Sequence, residues 1–145
     1  MNKIVKLISI FALAATACLF LSGCNKEDDN PLANTKWSEA GQTWNLKVDC
    51  YDIYIFDSSQ IQVYFLDNHL GSGWDKKLLE TYKYKVKGQS FTYTDAAGKT
   101  KTAHWSRLDD GRLQVLWTAG SGSPQQVWFP LEGEVLTLFN TAPLQ

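Results

Sequence analysis

From about residue 33 onward, apolar and polar positions alternate with period two, the spacing of strands that turn one face to a core. Trp37 opens the first run, and Trp44 to Val48 extends the pattern. Tyr51, Ile53 and Ile55 form one face of the next strand. Asp57-Ser58-Ser59 turns the chain, and Ile61, Val63 and Phe65 make the returning face, so residues 50–66 read as a hairpin. A longer excursion, Asp67 to Lys77, follows; Trp74 to Leu79 has room for one helical turn at most. Tyr82, Tyr84 and Val86 then alternate with Lys83, Lys85 and Lys87. Phe91 and Tyr93 return after Gly88-Gln89, and Ala103 and Trp105 follow the Asp95–Gly98 turn. Asp109-Asp110-Gly111 is a hairpin signal, because Asp and Gly tolerate positive φ. Leu113, Val115 and Trp117, then Val127, Phe129 and Leu131, and finally Leu136 and Leu138 complete the series.

The pattern predicts an all-β fold: an up-and-down meander of about eight antiparallel strands. Open sheet edges invite pairing with other chains, so a meander this long is expected to close into a small barrel. With the faces above turned inward, the interior receives Phe65, Tyr82, Tyr84, Phe91, Tyr93, Trp105, Trp117 and Phe129. So many large rings favour a filled barrel over a hollow one. If it is hollow, Tyr82, Tyr84, Tyr93, Trp105 and Trp117 are the candidate ligand-binding residues, with the tyrosine hydroxyls orienting the ligand. Tyr54, Phe56, Tyr64, Leu66, Leu116, Trp128 and Phe139 point the other way and predict an apolar-aromatic patch on the outer wall. That patch is either an interaction site or is covered by the 67–79 excursion, which carries Leu70, Trp74, Leu78 and Leu79.

The first 23 residues are not part of this fold. Lys3 and Lys6 precede an almost continuously apolar run, Leu7 to Leu21, of signal-peptide length. It ends in Leu21-Ser22-Gly23-Cys24, which resembles the bacterial lipobox. The resemblance implies cleavage before Cys24 and acylation of that cysteine, which ties the protein to a membrane without a transmembrane helix. Residues 24–31 then read as a lipidated cysteine and an acidic linker, and residues 32–145 as the folded domain. Asn25-Lys26-Glu27-Asp28-Asp29-Asn30 also resembles the export signal of Bacteroidetes surface lipoproteins, which implies display on the outer face of the outer membrane; the alternatives are a plain linker and the periplasmic face. With Cys18 removed and Cys24 acylated, Cys50 is the remaining thiol and reads as a small buried hydrophobe.

Leu32-Ala33-Asn34-Thr35-Lys36-Trp37, opening a meander just behind a lipobox, resembles the start of the lipocalin-like domains of bacterial lipoproteins. Asn34 stands where the family pattern has Gly. The resemblance implies that Trp37 plugs the closed end of the barrel and that a small hydrophobic ligand sits inside.

The net charge of −1 over 145 residues leaves no basic footprint for nucleic acid. Catalytic signatures are sparse. Thr102, His104 and Ser106 share a strand face, but no nucleophile-elbow context accompanies them. His69 lies among Asp67, Asn68, Ser72 and Asp75, at spacings that match neither an EF-hand nor a zinc pattern. No P-loop or dinucleotide fingerprint is present, and no cofactor or metal is expected. The sequence thus points to a non-enzymatic, lipid-anchored binding protein of the cell envelope that takes a small hydrophobic ligand or a glycan. The alternatives are a protein-interaction or inhibitor module using the outer patch and loops, and a structural accessory subunit of an envelope complex.

Overall fold

The computed structural model describes residues 29–39, 50–69, 72–117 and 122–145. The leader, Cys24, Trp44 to Val48, Leu70 and the Ala119–Ser121 stretch lie outside the described residues. The strands are β1 (Thr35–Glu39), β2 (Cys50–Phe56), β3 (Gln60–Asn68), β4 (Trp74–Lys87), β5 (Ser90–Thr94), β6 (Thr100–Arg107), β7 (Leu113–Leu116) and β8 (Gln125–Pro130). Each pairs antiparallel with its neighbour in sequence, and β1 pairs with β8, so the meander is a closed barrel. One helix, α1 (Gly133–Thr141), follows.

Turn geometry decides which face of each strand looks inward. Asp57 closes the first hairpin: its N–H donates to the Gln60 carbonyl, and its carboxylate accepts from the Ser59 and Gln60 N–H groups at 2.6 Å. This turn sets Phe56 opposite Ile61 and Tyr54 opposite Val63. Directly opposed residues share a face, so Tyr54 and Phe56 enter the barrel with Ile61 and Val63. Tyr51, Ile53 and Ile55 face out, the reverse of the sequence expectation. The last strands repeat the case. Leu113 pairs with Trp128 and Val115 with Gln126, which brings Trp128 inside and leaves Phe129 exposed. Both β2 and β8 are apolar on their two faces, and a one-residue shift exchanges those faces completely.

The interior is solid at one end. Leu32, Trp37, Phe56, Ile61, Tyr84, Phe91, Ala103, Leu113, Val115 and Trp128 form a continuous buried cluster. Segment 30–34 closes this end from below. The Asn30 side-chain amide donates to the Tyr84 hydroxyl at 2.8 Å, and that hydroxyl donates to the Asp57 carbonyl at 2.6 Å. Leu32 is fully buried. Asn34 takes φ 61°, a left-handed conformation that Asn and Gly adopt more readily than other residues. Trp37 is buried, donates its indole N–H to Thr35 at 2.8 Å, and is covered by the Arg107 guanidinium.

Both ends of the Asp67–Lys77 excursion are sheet: Asp67 and Asn68 end β3 and Trp74 begins β4. Asp67 pairs with Asp75 and Asn68 with Trp74, so Trp74 to Leu79 is strand and not a helical turn. A bulge between Val63 and Tyr64 leaves Leu79 as the extra residue of β4. Residues 136 and 138, expected in a final strand, lie in α1. Their true spacing is helical: Leu131, Val135, Leu138, Phe139 and Ala142 recur every three to four residues. This stripe packs on Ile53, Leu66 and Tyr64 on the outer wall, with the Phe139 ring edge-on to Tyr64 at 5.2 Å. The chain then returns to β4. Lys76 donates its ammonium to the Phe139 carbonyl at 2.9 Å, and Lys76 and Leu144 form a parallel bridge.

The outer face of β4 to β6 carries Lys83, Lys85, Lys87, Thr92, Thr102 and His104. This apolar-inside, polar-outside arrangement is the reverse of a lipid-facing barrel wall. Among the described residues no helix is long and apolar enough to cross a membrane.

Candidate functional site

On six of the eight strands the inward row passes from apolar to polar toward one end of the barrel, while β3 (Ile61, Val63, Phe65) and β7 (Leu113, Val115) stay apolar. On β1 it runs from Trp37 to Glu39, on β2 from Phe56 and Tyr54 to Asp52, and on β4 from Tyr84 and Tyr82 to Glu80. On β5 it runs from Phe91 and Tyr93 to Asp95, on β6 from Trp105 and Ala103 to Lys101, and on β8 from Trp128 to Gln126. Below this transition the barrel is packed. Above it lies an open pocket of about 460 Å³ lined by Tyr54, Tyr82, Tyr93, Trp117, Asp52 and Glu80, with Asp95, Lys101, Gln126, Val63 and Leu79 completing its wall. The interior is therefore filled at one end and hollow at the other.

The floor is a rigid aromatic mosaic. Tyr54 stacks on Trp128 with centroids 3.9 Å apart and planes 14° off parallel. Tyr93 stands edge-on to both Tyr82, at 5.4 Å, and Trp117, at 5.3 Å. Such edge-to-face contacts fix ring orientation as well as burying area. Gln126 joins floor to rim: its carbonyl oxygen accepts the Trp117 indole N–H, and its amide donates to the Glu39 carboxylate at 3.3 Å. Burial, reinforced by the Asp52 and Glu39 carboxylates and opposed by a hydrogen bond with Gln126, raises the Tyr54 pKa. The Tyr54 hydroxyl is therefore neutral at physiological pH. Burial, and then Asp95, raise Tyr93 in the same direction.

The rim is acidic. Lys101 reaches Asp95 at 3.9 Å, whereas Glu39, Asp52 and Glu80 have no ion pair among the described residues. Partial burial, and then repulsion by Asp52, raise the Glu39 carboxyl above its ordinary 4.5. Partial burial raises Asp52 above 3.8. Each folded carboxyl therefore holds its proton to a higher pH than in the unfolded chain. The folded state binds more protons across that window, and stability falls as pH rises through it. Asp52→Asn is accordingly expected to raise the thermal midpoint at neutral pH by about 2–5 °C. That gain should vanish near pH 3, where the wild-type carboxyl is protonated in both states. Thermal melts across the acid range check this, and a lowered midpoint at neutral pH would refute it.

Of the sequence-derived ligand residues, Tyr82, Tyr93 and Trp117 line the pocket. Tyr84 is bonded into the closed end. Trp105 packs against the interior cluster away from the pocket and borders a separate shallow hollow with His104, Ser106, Gln114, Leu116 and Gln125. Of the expected outer patch, Tyr54, Phe56 and Trp128 lie in the interior cluster, and Tyr64, Leu66 and Phe139 form the interface under α1. The cover is thus α1, with Trp74 from the former excursion at its margin against Tyr51. Glu39, Asp52, Glu80, Asp95, Lys101 and Gln126 were missed. The signal was present: each stands two positions from an inward residue, so the inward rows continued past their last apolar member reach all six.

Elsewhere, Ser106 donates its hydroxyl to Gln114 at 3.3 Å. His69 bridges Asp67 at 3.3 Å and Asp75 at 2.6 Å across the β3–β4 end. Cys50 is half-buried at the start of β2. Among the described residues no three His, Cys, Asp or Glu side chains are grouped to hold a metal ion.

Comparison with known protein families, with characterised proteins and with solved structures returns no match.

Proposed function

We propose that this is a non-enzymatic binding protein of the cell envelope that takes a small ligand in the open half of its barrel. The observation that supports this most directly is the pocket of about 460 Å³ over a floor of Tyr54, Tyr82, Tyr93 and Trp117. Its size falls within the roughly 300–1,000 Å³ of small-molecule sites, and it combines apolar walls with a few polar groups. The floor residues are held by contacts to one another, so the site is formed before a ligand arrives, which lowers the cost of binding. Acylation at Cys24 would anchor the domain to the outer membrane, with the acidic linker presenting it at the cell surface. The expected outer patch lends no support to the protein-interaction reading, because six of its seven residues, all but Leu116, are taken up by the interior and by the α1 interface.

A ligand-observed NMR screen of a mixed small-molecule set tests the reading. Leu79 is exposed at the pocket wall, so Leu79→Trp fills the opening without entering the core. Compounds that bind the wild type are expected to lose binding to Leu79→Trp. A screen without hits, or hits indifferent to this substitution, would overturn the reading.

A further inference from the structure

The charge around the pocket says what kind of ligand it takes. We infer that the site recognises a small organic cation, an ammonium group carried on an apolar or aromatic body; this rests on the small-ligand reading of the same pocket. Asp52, Glu80 and Asp95 line the pocket above the floor, and Glu39 stands beside Asp52, bonded to the lining residue Gln126, against Lys101 alone. Lys101 is engaged by Asp95, so Glu39, Asp52 and Glu80 carry their charge unbalanced into a space between low-dielectric walls, where fields are concentrated.

Positive charge suits the floor as well. The faces of Tyr and Trp rings carry negative potential and attract cations, most strongly where water is excluded. Tyr54, Tyr82, Tyr93 and Trp117 meet at differing angles, so the cavity presents both ring faces and ring edges to what enters it. An ammonium with N–H donors would find carboxylate acceptors above and aromatic surface below. A bare metal ion would not find a ligand set here, because the rim carboxylates are not grouped for one. A carboxylate or phosphate ligand would meet like charge on three sides.

The test uses three compounds on nearly one frame: phenethylammonium, phenethyl alcohol and hydrocinnamate. Each is titrated into the purified protein at neutral pH, by calorimetry and by tryptophan fluorescence. The cation is expected to bind at least about tenfold more tightly than the alcohol, the anion least tightly, and added salt to weaken the cation alone. The double variant Glu39→Gln/Asp52→Asn is expected to erase the preference while leaving the alcohol's affinity in place. Its melting curve verifies that it is folded. If alcohol and cation bind equally, and Leu79→Trp still blocks both, the cation inference falls and the small-ligand pocket stands. If none of the three binds up to its solubility limit, both fall.

Discussion

Trp128→Ala is expected to be strongly destabilising, removing a large share of the domain's stability. Trp128 is fully buried, stacked on Tyr54 and in ring contact with Phe56 and Trp117. It joins the solid end of the barrel to the pocket floor. Truncating a buried aromatic to alanine costs about 3–5 kcal/mol, against a total stability of about 5–15 kcal/mol for a typical domain. The denaturant midpoint should fall accordingly, and the Tyr54 and Trp117 rings should lose their fixed arrangement. The Trp128 indole N–H has no partner among the described residues, and leaving such a group buried is itself unfavourable. Trp128→Phe keeps most of the ring while removing that N–H, so it should be much the milder change. Urea unfolding of the two variants side by side measures both effects. Were Trp128→Ala to melt like the wild type, the placement of this residue in the core would be wrong.

Loss of α1 is the second large effect. Ending the chain at Leu131 strips cover from Ile53, Leu66, Tyr64, Tyr51 and Ile55 on the outer wall. It also removes the tail that bonds Lys76, where the Pro143 carbonyl accepts the Lys76 N–H at 3.0 Å and the Gln145 N–H donates to the Lys76 carbonyl at 2.8 Å. The shortened protein would carry both an exposed apolar patch and an uncovered strand edge, two routes to self-association. It is expected to elute as oligomers or aggregate in size-exclusion chromatography and to bind hydrophobic dyes. Phe139→Ala, a smaller lesion in the same interface, should lower stability by up to about 3–5 kcal/mol without changing the oligomeric state at low temperature. A truncated chain that stays monomeric with an unchanged midpoint would show that α1 contributes little.

Strand number, order and closure were legible because period-two alternation and turn residues are local signals. The face assignment of β2 and β8 was not. Tyr51 to Phe56 is apolar on both faces, and only the Asp57–Gln60 turn, which fixes Phe56 opposite Ile61, selects between them. The C-terminal helix escaped for a related reason. Leu136 and Leu138 fit a two-residue period as well as a helical one, and the stripe that settles the matter begins earlier, at Leu131, and ends later, at Ala142. The aromatic part of the site was visible, as Tyr82, Tyr93 and Trp117 show. Its acidic rim was not, because Asp52, Asp95 and Glu80 sit beside turns or among charges that look like ordinary solvated surface until the barrel closes around them.

The change from apolar to polar toward one end of the barrel bears on how such a protein can evolve. Residues that hold the fold together and residues that meet a ligand occupy successive layers of the same strands and overlap only at Tyr54, Val63, Tyr82, Tyr93 and Trp117. A substitution at Glu39, Asp52, Glu80 or Gln126 alters the upper layer while leaving the packed end as it was, and some such changes should strengthen the fold. The rim is therefore free to drift among charges and sizes, and descendants of one barrel could acquire different ligands without passing through an unfolded ancestor.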